Sequence, residues 1–355
     1  MALALSVSQV NYLNICLMLL SAVLAYLFPF ELFLFVYAVL GPLHYLTEIS
    51  WLHDKNYYLP GKKDFLWWLG LSVLITALFL GWIPLAPKGT IEFLTALAFL
   101  TALFFVILKG RGLRWAMVPL GTFLLFLFVR APGFQVFFGI FLPTLIHVFI
   151  FTGMFILIGA LKGRSFSGTA SLAAFAIIAC AFIFYHPAHA GYLASEYVRS
   201  SYGYLKENGT GSSPFIQINL YIAQALKFSG LGSVPRTGTE FVNGVNQFLY
   251  QDPTALALMS FIAFAYAYHY FNWFSKTSII GWNEISRKRG TAILILWGAS
   301  LVLYSFDFSI GLKWLFFLSF THVLLEFPLN HLTFIGLLRE SRLFPLSRGG
   351  AAGGK

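Results

Sequence analysis

The chain is dominated by apolar runs long enough to cross a lipid bilayer. A hydrocarbon core about 30 Å thick takes about 20 helical residues to cross. Ten such runs are legible, at 10–29, 31–53, 65–86, 91–108, 114–130, 134–161, 167–186, 253–275, 291–311 and 313–337. Backbone N–H and C=O groups in lipid must be satisfied within the chain, so each run predicts a helix. The expected fold is an all-α, polytopic transmembrane bundle of about ten spans, with residues 1–340 as a single domain. Composition agrees: 59% hydrophobic and 10% charged residues leave too little polar surface for a water-soluble globule.

The formal charge of +10 does not point to nucleic acid, because the basic residues are scattered between apolar runs. With the N-terminus on the cytoplasmic side, Lys88, Arg130, Arg199, Lys206, Lys227, Arg236 and Lys313 face outward. The other 16 of the 23 Lys and Arg face inward. The positive-inside rule therefore predicts cytoplasmic termini, and the expected location is a bacterial inner (plasma) membrane. The first run has no basic segment before it and passes through Pro29 straight into the second, so a cleavable signal peptide is not expected. Cys16 and Cys180, each within an apolar run, provide no disulfide framework.

One polar segment of size, 187–252, is expected to be an extracytoplasmic loop, with an amphipathic helix over 215–228 lying as a lid on the outer interface. It contains the sequon Asn208-Gly209-Thr210. The Gly/Ala-rich tail, 341–355, is expected to be cytoplasmic, and disordered from Ser347 onward.

Chemistry must then come from polar groups inside the spans, where an ionisable side chain needs a partner. His44, His147, His269 and His322 fall at similar depth on four runs that all cross in the same direction, so they can converge. Glu48 and Glu326 follow two of them at i+4, which puts acid and imidazole on one helix face. A lone histidine in a span is readily an interhelical hydrogen-bonding residue. Four with two carboxylates suit iron, manganese or zinc. His53 and His331 lie nine residues beyond the first histidine of their runs, on the opposite face, and are expected at the interface. His186 and His189 should be solvated at the outer mouth, and Asp307 snorkelling or paired with Lys313.

Four windows resemble the bacterial Brp/Blh family of integral-membrane β-carotene 15,15′-dioxygenases. They are Gly41-Pro42-Leu43-His44-Tyr45-Leu46-Thr47-Glu48, Leu145-Ile146-His147-Val148-Phe149, Tyr268-His269-Tyr270-Phe271-Asn272-Trp273 and Thr321-His322-Val323-Leu324-Leu325-Glu326. Tyr45 stands where the family has glycine, and Trp273 where its third motif has a second histidine. The resemblance implies a non-haem Fe2+ oxygenase, with one or two ions per chain, acting with dioxygen on a lipophilic substrate such as a carotenoid. His44, His147, His269 and His322 would be the ligands and catalytic centre, with Glu48 and Glu326 as further ligands or orienters of the rings. Tyr45, Tyr268, Tyr270 and Trp273 flank the histidines and would contact the substrate. Two other functions compete: a proton-coupled transporter, since intramembrane His and Glu carry protons, and a bis-histidine haem protein.

Overall fold

Among the described residues the chain is helical, without strands. The computed structural model describes residues 5–131, 133–185, 192–205, 214–235 and 238–340. His186, His189, the sequon and the tail from 341 lie outside them. Nine helices among the described residues are long and apolar enough to cross a membrane. They are α1 (Val7–Leu27), α2 (Pro29–Asp54), α4 (Thr90–Ile107), α5 (Arg111–Phe128), α6 (Phe134–Gly163), α7 (Phe166–Tyr185), α11 (Pro253–Ser275), α12 (Arg287–Phe306) and α13 (Phe308–Glu340).

The run expected over 65–86 departs from this pattern. Its helix, α3 (Leu66–Phe79), has only 14 residues. Gly81 then takes a left-handed conformation at φ 74°. Pro84 and Pro87 follow, and neither can donate a helical hydrogen bond. Hydropathy alone carried that expected span past the break.

Local chemistry explains the helix starts. Ser6 and Gln9 form a reciprocal capping box on α1. Asp252 caps α11 by accepting from Thr254 and Ala255, with Pro253 at the first helical position. Asp307 does the same for α13, accepting from the Ile310 N–H at 3.0 Å. It is therefore a helix cap at an exposed turn, and among the described residues it forms no ion pair with Lys313.

α11 is the hub. It is buried on nearly every face, as an all-round apolar helix should be, and it packs against α1, α2 and the middle of α6. α13 lies across α2, α3, α4 and α12. α5 and α12 are mostly exposed along their lengths, leaving Phe123, Phe126, Leu294 and Ile295 to face lipid.

The segment expected as a loop lid is more structured than its polarity suggests. It holds α8 (Glu196–Tyr202), α9 (Pro214–Ala225) and α10 (Gly238–Gln251), and it buries Val198, Tyr202, Phe215, Ile216, Val245 and Phe248. The expected amphipathic helix is present as α9. Aromatic rings dock this cap: Phe30 lies 4.8 Å from Tyr202 and 4.9 Å from Tyr250, and Phe33 lies 4.9 Å from Phe215. Asn219 donates to the Tyr202 hydroxyl, closing the cap internally.

Phe30 is 1% exposed, so Phe30→Ala should cost about 3–5 kcal/mol by analogy with other buried aromatic truncations. Thermal unfolding in detergent should shift down, and limited proteolysis within 192–251 should accelerate. Unchanged proteolysis would remove the docking role assigned to this ring.

Candidate metal centre

Four helices deliver one histidine each to a single point. His44 comes from α2, His147 from α6, His269 from α11 and His322 from α13, and their exposures are 1%, 2%, 9% and 2%. His44 Nε2 lies 3.1 Å from His269 Nε2, and His147 Nε2 lies 3.0 Å from His322 Nε2. His44, His269 and His322 each offer a ligand atom within 4.8 Å of the others. His147 joins them through His322. The expected convergence is therefore present in the fold.

The two carboxylates occupy different places in this cluster. Glu48 Oε2 approaches His44 at Nε2, the nitrogen that faces the other rings, at 3.0 Å. Glu326 Oε2 approaches His147 at Nδ1, the nitrogen that points away from His322, also at 3.0 Å. Both contacts have ion-pair distance but miss the direction a hydrogen bond needs, leaving Glu48 Oε2, Glu326 Oε2 and His147 Nδ1 unpartnered. His44 Nδ1 and His322 Nδ1 are also without hydrogen-bond partners. A buried polar atom left this way costs about 1–3 kcal/mol.

Neighbouring side chains set the ring orientations. Thr152 Oγ1 lies 2.8 Å from His269 Nδ1. The π-helical stretch Phe137–Phe151 carries His147, and its wider i→i+5 turn brings Thr152 to the same side. Ordinary helical spacing does not signal that threonine. Tyr45 stacks on His322, with centroids 4.1 Å apart and an interplanar angle of 23°. The Tyr45 and Tyr270 hydroxyls are 2.7 Å apart. Trp273 Nε1 donates to Thr47 Oγ1 at 3.0 Å, and its ring lies 5.5 Å from His44. Tyr268 is the exception among the expected contact residues: its hydroxyl donates to Asn14 Oδ1 at 3.1 Å, and it lines neither cavity at the cluster. One residue along a helix turns the side chain about 100°, and that takes Tyr268 to α1.

Two cavities meet at the cluster. The first, about 390 Å³, includes His147, His269 and His322 among its lining residues, then Tyr45, Tyr270, Tyr37, Tyr266 and Phe320. It reaches the cap at Phe215, Ile218 and Tyr221 of α9, with Glu92 and Gln135 also at its wall. The second, about 330 Å³, contains His44, Glu48, His269 and Glu326 and is also lined by Trp273, Asn272, Lys162 and Lys276. Tyr37, Tyr266 and Glu92 were not singled out from sequence. Tyr266 could have been, because it precedes Tyr270 by one helical turn.

The remaining histidines stand apart. His53 is exposed, with Nδ1 3.3 Å from the Tyr57 hydroxyl. His331 faces away from the cluster as expected, and its side chain is buried against a neighbouring helix, donating from Nε2 to the Phe99 carbonyl at 2.9 Å. The chain matches no protein-family model, no curated protein and no solved structure.

A cluster of buried nitrogens and carboxylate oxygens, several without hydrogen-bond partners, should be stabilised by a cation. Chelator-stripped protein should gain thermal stability on adding Fe2+ or Co2+, by about 2.7 kcal/mol at a hundredfold excess over the dissociation constant. His44→Ala, His147→Ala, His269→Ala and His322→Ala should each lose that gain, and His53→Ala should keep it. An equal gain in His147→Ala and the unsubstituted protein would reduce the centre to three ligands.

Proposed function

We propose that the chain is a metal-dependent membrane oxidoreductase with a non-haem Fe2+ centre, acting on a lipophilic substrate with dioxygen. Carotenoid-type cleavage is the specific form suggested by the resemblance of the four histidine windows to the Brp/Blh dioxygenases. The observation that carries this reading is the convergence of four buried imidazoles from four helices, with Nε2–Nε2 separations of 3.0 and 3.1 Å, beside two buried carboxylates.

In this reading His44, His147, His269 and His322 hold the ion, and Thr152 orients the His269 ring. Glu326 stands behind His147, 3.0 Å from Nδ1, where an orienting carboxylate would lie once the ring coordinates an ion. Glu48, on the ligand side of His44, is placed to bind the ion or to balance its charge. Bound ferrous iron supplies the electrons that make dioxygen reactive. The aromatic cavity under the cap takes the apolar chain of the substrate, and the Tyr45–Tyr270 hydroxyl pair sits on its wall beside His322. A volume of about 390 Å³ suits part of a long substrate, and membrane lipid is the phase from which such a substrate enters.

The proton-coupled transporter has one observation in its favour: His269 lines both cavities, so a proton path from one to the other runs through the cluster. A bis-histidine haem is less well supported, because rings whose centroids are 4.7–5.1 Å apart leave no gap for a macrocycle between them.

Elemental analysis with an absorption spectrum on the same purified sample separates the three. One or two iron atoms per chain without a Soret band are expected, together with bleaching of β-carotene in cells that accumulate it. Glu326→Gln should weaken iron binding about 10–100-fold. No metal after mild purification would transfer support to the transporter.

A further inference from the structure

Lys276 is a cationic side chain that the proposed centre does not use. It closes α11 as the residue after Ser275 and lines the second cavity with His44, Glu48, His269 and Glu326. It is half-buried, and among the described residues no carboxylate forms an ion pair with it. A lysine at the end of a span usually extends to the interface or meets an acid. This one faces a cavity that ends at a reactive cluster.

The chemistry of the cavity narrows what Lys276 can receive. A free metal ion is repelled by Lys276 and by Lys162, which lines the same cavity. An anion is opposed by Glu48 and Glu326, which line it as well. A neutral ligand meets neither penalty, and Trp273, Phe155 and Leu329 offer it apolar wall. The neutral group for which a lysine has specific affinity is a carbonyl, through imine formation.

We propose that Lys276 is a covalent holding site for an apolar aldehyde, formed when its amine condenses with the aldehyde carbonyl inside the second cavity. This rests on the oxidative-cleavage reading above, which makes such an aldehyde at the adjoining cluster. The Lys276 nitrogen lone pair forms the C–N bond, and the carbonyl oxygen leaves as water with the two amine hydrogens. The product is a C=N bond with no net oxidation. Hydrolysis reverses the step and releases the aldehyde. Burial favours it twice, because a neutral imine does not carry the desolvation cost of an ammonium, and because burial pulls the Lys276 ammonium down to about 8.

The test supplies the aldehyde directly, so it proceeds whether or not the protein binds iron or turns over any substrate. Metal-free, full-length protein in detergent is incubated with retinal, reduced with borohydride and mapped by peptide mass spectrometry. The expected result is one dominant reduced adduct on the peptide containing Lys276, retained in Lys162→Arg and lost in Lys276→Arg. Because the site is read from the unsubstituted protein, a folding defect in either variant does not decide the outcome. Labels spread over exposed lysines, or none at Lys276, would overturn the proposal. That result would leave the oxygenase reading to its own iron and bleaching assays.

Discussion

Burying four imidazoles and two carboxylates together is the constraint around which the molecule is organised. Each group alone would cost several kcal/mol in a medium that cannot hydrate it. Placed together, they still leave nitrogens and carboxylate oxygens facing one another without hydrogen-bond partners. In the proposed metal centre, a bound cation would relieve that residual mismatch. The surrounding side chains hold the geometry meanwhile. Thr152 fixes His269, Tyr45 lies flat on His322, and the Trp273–Thr47 hydrogen bond ties α11 to α2 beside His44.

The cap and the cluster are mechanically linked. α9 contributes Phe215, Ile218 and Tyr221 to the wall of the first cavity, and Phe215 also packs on Phe33 and Tyr37 of α2. The same helix that carries His44 therefore carries the docking surface of the cap. A displacement of the cap changes the cavity that leads to the histidines. On the other side of the cluster, the second cavity is bounded by the far ends of α6 and α11, where Lys162 and Lys276 lie. The centre is thus approached from two directions through walls of different chemistry.

Much of this was legible in the sequence where one helix carries the signal by itself. The i, i+4 pairs His44–Glu48 and His322–Glu326 needed only helical periodicity, and the common depth of the four histidines needed only residue counting. Signals that depend on a neighbour were not legible. Tyr268 reads like Tyr270, yet the turn between them sends one to Asn14 and the other to the cluster. The partner of His331, the Phe99 carbonyl of α4, lies more than two hundred residues away in the chain. Thr152 depends on a π-helical stretch that ordinary periodicity does not announce. The run at 65–86 has the hydropathy of a span, but Gly81 and two prolines end its helix early.

The sequence by itself determined an all-helical, membrane-spanning chain, because apolar runs of that length leave the backbone no other way to satisfy its hydrogen bonds in lipid. It also determined that His44, His147, His269, His322, Glu48 and Glu326 lie within apolar runs, where ionisable groups need partners. Only the tertiary structure decided that the four histidines share one point, that Glu48 faces their ligand side while Glu326 stands behind His147, and that two cavities meet there. The reason is physical: hydropathy and periodicity are properties of a single helix. Convergence depends on how α2, α6, α11 and α13 rotate and cross, which is set by packing between side chains far apart in the chain.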